Sequence, residues 1–225
     1  MEEIQLYSEL KDELDYISEN YIGKDVDELS SLFMITNKCK QKNSLIVKQI
    51  FLHANPLFFA CNKYVVKTIQ VDKYDKMSQA ISFPAFDFET LIKENWETST
   101  LRSFLSSHIF IFVIFKHDGN IVFLEKVIPW TIPNDILDNS IRKVWEKTKN
   151  VLETGNIVKY VENDKYFTAF PSAKENPYMH VRPHSQSKSD VKTLPVPDKV
   201  TNLTKYEKHC FWFNKQYINK IINEK

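Results

Sequence analysis

The order of apolar and polar residues along the chain predicts a mixed α/β protein with one deeply buried strand. The residues His108–Phe115 form a continuous apolar run, HIFIFVIF, which is typical of a central strand buried on both faces. An Asp118–Gly119 turn pair follows, so Asn120–Ile128 is predicted to return as the hairpin partner. The alternating, β-branched segment Tyr64–Val71 predicts another strand.

Apolar residues at helical spacing, or with capping signals, predict several helices. Asp25 followed three residues later by Glu28 predicts a capping box at the second of them. The predicted helices are residues 3–19, Asp25–Phe33, Ser44–His53, Ser99–Leu105, Asn134–Thr154 and about Phe211–Ile222. Further strands are predicted at Ala80–Phe88, Ile157–Val161 and Met179–Arg182, and a long polar loop at Ser185–Val200. Together these elements predict a single domain over residues 1–225.

Composition excludes several classes of site. Three glycines in 225 residues are too few for a glycine-rich phosphate cradle. Cys39, Cys61 and Cys210 have no paired spacing, which favours a reducing compartment over a disulfide scaffold or a zinc site. The acidic first residues do not have the pattern of a signal peptide, and no apolar run has membrane-spanning length. We therefore expect a soluble, cytoplasmic protein without a membrane partner.

A formal net charge of +1 hides an asymmetry between the two ends of the chain. Residues 1–30 carry ten acidic side chains and two lysines, whereas residues 174–225 carry ten basic and five acidic side chains. A lysine cluster at Lys38, Lys40, Lys42 and Lys48 contains no acid. Such clustering is compatible with a basic binding face, although a solvated surface is the simpler interpretation of any one cluster taken alone.

Several short motifs resemble, in order and spacing, the MutH family, which includes a mismatch-repair nicking endonuclease and GATC-cutting type II restriction endonucleases. The markers lie between about Tyr21 and Ile222. They are Val66–Lys67–Thr68–Ile69, Trp96–Glu97–Thr98–Ser99, Leu101–Arg102, Val181–Arg182–Pro183, Leu194–Pro195 and Lys208–Phe211. The resemblance implies a restriction-endonuclease-like fold of the PD-(D/E)xK, MutH type, with a central mixed β-sheet flanked by helices.

The same resemblance implies a catalytic site that has lost its acids. Lys67 matches the active-site lysine of the family, whereas Val65 replaces the metal-binding glutamate and Gln49 replaces a further glutamate. The expected aspartate falls among residues 58–61, FFAC, none of which is acidic. Because Mg²⁺ needs oxygen ligands, we expect no metal, no cofactor and no cleavage in this domain, with Mg²⁺ serving only the parent enzyme.

The DNA-reading positions of the family are mostly retained. Arg182, before Pro183, suits bidentate recognition of guanine, and His184 stands where the family has a lysine. Tyr206 matches the tyrosine that helps to recognise the adenine of GATC. Lysines expected near phosphates are Lys38, Lys40, Lys42, Lys205 and Lys208. The aromatic residues Phe211, Trp212 and Phe213 are predicted to belong to the core.

The main hypothesis is a GATC-binding effector domain of a two-domain type II restriction endonuclease, which does not cut DNA itself. Its partners would be double-stranded GATC DNA and the catalytic domain of the same parent enzyme, and dimerisation on DNA stays open. One alternative is an active Mg²⁺-dependent endonuclease whose acids have moved, with Glu89, Glu94 and Glu97 as candidates. The other is a protein-interaction module that has lost DNA binding.

Overall fold

A computed structural model describes residues 2–36, 41–60, 62–77, 79–163, 165–187 and 189–224, with side chains from Leu10 onward. The α-helices in these residues are α1 (Glu2–Tyr21), α2 (Val26–Leu32), α3 (Lys42–Ala54), α4 (Phe88–Lys93), α5 (Thr100–Ser107), α6 (Arg142–Glu153) and α7 (Lys215–Asn223). The strands are β1 (Tyr64–Val71), β2 (Ile81–Ala85), β3 (Ile109–Asp118), β4 (Ile121–Trp130), β5 (Val158–Glu162), β6 (Lys165–Thr168), β7 (Met179–Pro183), β8 (Val191–Thr193), β9 (Lys205–Glu207) and β10 (His209–Phe213).

The chain divides into two compact units. The first unit comprises Met1–Ser78, His108–Thr131 and Ile222–Lys225, and the second comprises Gln79–Ser107 and Ile132–Ile221. The chain therefore leaves the first unit and returns to it, and the single domain expected from the sequence stays a prediction. Among the described residues, no helix has the length and apolar character that crossing a bilayer requires.

The sheet of the first unit confirms the predicted central strand. β3 lies between β1, to which it is parallel, and β4, to which it is antiparallel. Ile109–Phe115 are all buried, as expected for a strand covered on both faces. The mixed sheet confirms the expected α/β class, and the positive φ of Gly119 allows the tight turn between β3 and β4.

Helices α1 and α3 supply the apolar side chains that cover one face of this sheet. Leu10 and Ile17 of α1 share a buried cluster with Ile46, Ile50 and residues of β3. The predicted capping box of α2 is present, because the Asp25 carboxylate accepts from the Glu28 N–H and the Glu28 carboxylate accepts from the Asp25 N–H, both at 2.8 Å. The sequence predictions for these three helices are confirmed.

The second unit contains an antiparallel sheet in the order β2–β10–β7, with hairpins β5–β6 and β8–β9. The motif that begins at Trp96 forms a short 3₁₀ turn before α5. The Trp96 indole donates to Asp138 at 2.8 Å, and Arg102 donates to the same carboxylate at 2.9 Å. The hydroxyl of Ser99 accepts from the Arg102 N–H at 3.2 Å and caps α5. These motif residues therefore have a structural role in this unit.

Three predictions for the second half of the chain need correction. The apolar segment from Phe211 begins as strand β10, and helix α7 starts only at Lys215. The expected loop Ser185–Val200 contains β8, which pairs with β9. The predicted strand over residues 80–88 ends at Ala85, because Asp87 caps helix α4. The long helix near residues 134–154 is confirmed, with a π-helical first part at Ile136–Ile141.

The carboxylate of Asp198 holds two loops of the second unit together. It is fully buried and accepts from the backbone N–H groups of Ile157 and Val158 at 3.0 and 2.8 Å. Its other oxygen accepts from the backbone N–H groups of Val200 and Thr201 and from the Thr201 hydroxyl. Burial raises the pKa of this carboxyl, but the hydrogen bonds outweigh burial and the pKa lies below its usual value.

Replacing Asp198 by Asn should lower the free energy of unfolding by about 3 kcal/mol at pH 7, because the amide NH₂ cannot accept from the N–H groups it would face. Urea unfolding of D198N beside the exposed control D135N measures this loss. Since the folded pKa of Asp198 is lowered, its contribution is complete above the unfolded value near 4 and is lost as the pH falls from there through the folded pKa. Equal stability of wild type and D198N at pH 7 would contradict the assignment.

Candidate nucleic-acid interface

Arg182, the main candidate for base recognition in the second unit, lies on β7, which pairs with β10. In this antiparallel register Arg182 lies opposite Cys210, and His180 lies opposite Trp212. Side chains alternate along a strand, so Arg182, His180 and Trp212 point to the same face. On the β2 side, β10 has a register irregularity between Cys210 and Trp212. Such bulges change the direction of nearby side chains.

The guanidinium of Arg182 is exposed and lies over an indole ring. Its central carbon is 4.7 Å from the ring centroid of Trp212, a cation–π distance. The ring of His184 makes an edge contact with the same indole at 5.8 Å, and the His184 backbone N–H donates to the Lys208 carbonyl at 2.8 Å. Arg182 and His184 thus both contact the indole of Trp212, at the end of β7.

A buried polar network fixes the start of β7 beneath these residues. His180 is buried, and its Nδ1 donates to the side-chain carbonyl of Asn214. The Asn214 amide in turn donates to the carbonyl of Asn176 at 2.6 Å, and the Asn176 side chain accepts from the Met179 N–H at 3.1 Å. Burial lowers the pKa of His180, and the charge of Arg182 lowers it further, although the Asn214 hydrogen bond opposes the shift. A neutral His180 therefore supports the strand that presents Arg182.

Tyr206 is placed differently from what a base contact requires. Only 3% of its surface is exposed. Its ring stacks on His209 at 5.5 Å and lies 6.2 Å from the ring of Tyr166. Its hydroxyl is buried and has no hydrogen-bond partner among the described residues, and burial raises its pKa. The expected contact with adenine stays a prediction, and it would require this ring to leave its packing.

The lysines expected near phosphates are in different situations. Lys205 is exposed at the start of β9, whereas the ammonium of Lys208 forms an ion pair with Asp190. Lys42 begins α3 in the first unit and pairs with Asp27 at 2.9 Å. Lys38 and Lys40 lie outside the described residues. Of the three described lysines, two already have carboxylate partners with which a phosphate would compete.

The residues that match the family's catalytic positions lie in the first unit. Val65 and Lys67 are two residues apart on β1, opposite Phe110 and Phe112 of β3, and share one face by alternation. Gln49 is exposed on α3. No acid occurs between Val47 and Val71. The residues that are present therefore do not fit a Mg²⁺ ion, which takes oxygen ligands from carboxylates.

Glu89, Glu94 and Glu97 are the acids that the alternative of an active enzyme would use. Two of them already accept hydrogen bonds from protein groups. Glu97 accepts from Arg142 at 3.4 Å, and Glu94 accepts from the backbone N–H of Thr100 at 3.2 Å. Glu89 is exposed in the first turn of α4. Within the part of the chain that the structure describes, no group of three His, Cys, Asp or Glu side chains could hold a metal ion.

The residue that sequence reasoning missed is Trp212. The prediction of a core aromatic is confirmed for Phe211 and Phe213, which are buried, but Trp212 is only half-buried. Its indole nitrogen is enclosed and has no hydrogen-bond partner in the described residues. Alternation along a strand puts the middle residue of Phe211–Trp212–Phe213 on the opposite face from its neighbours. This alternation identifies Trp212 as the exposed member only once the segment is known to be a strand.

His209 should make the second unit sensitive to mild acid. Burial lowers its pKa to about 4, although its hydrogen bond to the Glu207 carbonyl opposes the shift. A histidine that is neutral when folded and charged when unfolded lowers stability below its unfolded pKa, near 6.5. We expect a loss of about 2 kcal/mol between pH 7.5 and pH 5. Urea unfolding at both pH values should show a smaller loss in H209F, and an identical loss would contradict this account.

Comparison with known proteins relates the chain to a restriction enzyme. No protein-family model matches it. The chain is 26% identical over 240 aligned residues to the type II restriction enzyme Sau3AI of Staphylococcus aureus. The alignment covers 91% of this chain and 49% of that enzyme, so the chain spans about half the length of this curated relative. Over most of its length, the chain is thus related to a type II restriction endonuclease.

Proposed function

We propose that this chain binds double-stranded DNA at GATC sites and does not cut it. The observation that carries the proposal is the exposed guanidinium of Arg182 at the end of β7, 4.7 Å from the ring of Trp212. A planar guanidinium held on an aromatic ring keeps its hydrogen-bonding edge free. That edge matches the O6 and N7 acceptors of guanine in the major groove. The similarity to a type II restriction enzyme makes DNA the appropriate ligand.

The proposal that cleavage is lost is based on the absence of carboxylates at the positions where a metal would bind. The strand that should hold a metal carries Val65 two residues before Lys67, and α3 carries Gln49. Removing one carboxylate weakens a metal site, and a neighbouring acid can compensate. Here all three matched positions lack an acid, and the nearest sequence offers no substitute. Mg²⁺ would then be needed only by a separate catalytic domain.

An effector role explains why a domain without catalytic acids would keep its DNA-reading residues. We propose that DNA binding here stimulates cleavage of a second site by the catalytic domain of a parent restriction enzyme. Such coupling requires that the DNA-bound form of this domain favours a cutting-competent arrangement of the catalytic domain. The similarity covers 49% of the length of the Sau3AI enzyme, which is consistent with an enzyme of two such parts.

The variant R182K tests the proposed reading of guanine. Lysine keeps the charge but loses the bidentate fork, so affinity for a GATC duplex should fall roughly tenfold to hundredfold. Affinity for a scrambled duplex should change much less, because phosphate contacts carry no sequence information. Fluorescence anisotropy with both duplexes, in EDTA and in Mg²⁺, gives the two affinities.

The matched control for R182K is K159R, a swap at an exposed lysine of the same unit, which should leave both affinities unchanged. Equal losses on both duplexes would mean that Arg182 contacts only the backbone. Wild-type protein that does not distinguish the duplexes would overturn GATC recognition. The DNA recovered from the Mg²⁺ samples should be intact, and a cut that survives repurification would favour the relocated-acid enzyme.

The variant Y206F separates a base contact from a packing role for Tyr206. Because the Tyr206 hydroxyl is buried without a partner in the described residues, its removal should raise the free energy of unfolding by about 1 kcal/mol. GATC selectivity should then be unchanged. Unfolding in urea and the two-duplex titration measure both quantities. A loss of selectivity without a gain in stability would show that the hydroxyl reaches the DNA.

A further inference from the structure

The second unit contains an apolar cavity to which the proposed DNA recognition assigns no role. Its volume is about 270 Å³, and residues of β2, α4, α5, α6 and β10 line it. The aromatic side chains in its wall are Phe83, Phe86, Phe104, Trp145 and Phe211. Leu91 and Leu101 add aliphatic surface. Since Arg182 and Trp212 are not among its described lining residues, the cavity is separate from the proposed base contact.

The size and the lining of this cavity fit a flat apolar group. An apolar cavity of about 150 Å³ accommodates benzene, so the present volume of about 270 Å³ accommodates a bicyclic ring with a short chain. Aromatic side chains attract a further ring through offset-stacked and edge-to-face contacts. The wall already contains such contacts, between Phe83 and Phe104 at 5.9 Å and between Phe86 and Phe211 at 4.8 Å. The apolar part of a suitable ligand is therefore an aromatic ring.

The ionisable side chains in the wall of the cavity are two carboxylates. Asp87 is already neutralised, because it accepts from the Lys192 ammonium at 3.1 Å. The described partners of the Glu94 carboxylate are neutral, since the backbone N–H of Thr100, at 3.2 Å, and the Thr100 hydroxyl donate to the same oxygen. Among the described lining residues there is no lysine, arginine or histidine. A cationic group on the ligand is therefore favoured at Glu94, and the aromatic wall favours a cation as well.

Lys149 lies close to Glu94 but is engaged elsewhere. Its ammonium donates to the backbone carbonyl of Glu94 at 2.6 Å and pairs with the Glu153 carboxylate at 3.7 Å. The positive charge of Lys149 is therefore partly balanced by Glu153. Within the described part of the chain, the Glu94 carboxylate has no ion-pair partner of its own within 4 Å.

We propose that this cavity binds a small organic cation that consists of an aromatic ring and an ammonium group. The ring would lie among the aromatic side chains of the wall, and the ammonium would pair with the Glu94 carboxylate. This site goes beyond the proposed function, because its ligand is a small molecule and its occupancy does not depend on DNA.

The test is a titration of the full chain with three related probes, without DNA and at constant ionic strength. Tryptamine carries an ammonium on an indole ring, indole is the neutral ring, and indole-3-propionate carries a carboxylate. The methyl signals of Leu91 in ¹H–¹³C spectra should shift to saturation with tryptamine. Indole should bind about fivefold more weakly, the factor that a partly exposed ion pair contributes. Indole-3-propionate should bind more weakly than indole, because its charge is repelled by Glu94.

The variant E94Q removes the charge of Glu94 and keeps a side-chain oxygen that can accept from Thr100. Its affinity for tryptamine should fall about fivefold, to that for indole, and its affinity for indole should be unchanged. The matched control E89Q removes an exposed carboxylate of α4 that is not among the described lining residues. It should bind tryptamine like the wild type.

The variant L101F places a larger side chain in the wall and should weaken tryptamine and indole alike, roughly tenfold. Should L101F fail to fold, the comparison of E94Q with E89Q still decides. The proposal is overturned if the Leu91 methyl signals of the wild type show no saturating shift with tryptamine. It is also overturned if indole-3-propionate binds as tightly as tryptamine, or if E89Q loses as much affinity as E94Q.

The variant R182K separates this site from the proposed DNA recognition. Because Arg182 is not among the described lining residues of the cavity, R182K should bind tryptamine like the wild type. The probe titrations contain no DNA. A failure of GATC recognition and a failure of this cavity to bind the cation would therefore be observed separately.

Discussion

The antiparallel pairing of β7 with β10 is the constraint on which the proposed DNA recognition depends. This register places Arg182 opposite Cys210 and one diagonal step from Trp212. A slip of one residue would move Arg182 to the other face of the sheet. The buried contact between His180 and Asn214 holds the first half of β7, and the His184 N–H continues the pairing beyond Pro183. The position of one guanidinium is thus set by backbone hydrogen bonds and by a neutral network beneath it.

The two regions singled out by the sequence differ in the charged groups that they carry. In the second unit, a single guanidinium lies on an aromatic ring and offers a planar set of donors. In the first unit, the stretch from Val47 to Val71, where the catalytic acids were expected, contains no carboxylate. Neither arrangement offers the carboxylates that Mg²⁺ needs, and the donors of the guanidinium match a base edge. The proposed loss of cleavage and the proposed binding of DNA are therefore compatible in one chain.

Sequence reasoning succeeded where one strong local signal decided the structure. The apolar run of β3, the capping box at Asp25 and the helical spacing before Gly155 each had a single favoured interpretation. It failed at β10, because the segment from Phe211 to Ile222 is apolar at both strand and helix spacing. The short strands β8 and β9 were missed, since their pairing is non-local and their residues are polar.

The candidate site was predictable only in part for related reasons. Arg182 and His184 could be identified from the motif that contains them, and they lie together at one strand end. Tyr206 was chosen by its position along the chain, but burial is a property of the tertiary structure. Trp212 could be identified only after the register of β10 was known. Local sequence therefore indicated which residue types to consider, and strand pairing determined which of them reach the surface.

The central claim is that this chain recognises GATC and leaves the DNA intact. Hydroxyl-radical footprinting on a long duplex with one GATC site, after incubation with Mg²⁺, tests both parts at once. The account predicts protection centred on the GATC site and no protein-dependent break in either strand before the radical is generated. Uniform protection along the duplex, or a Mg²⁺-dependent break at the site, would contradict it.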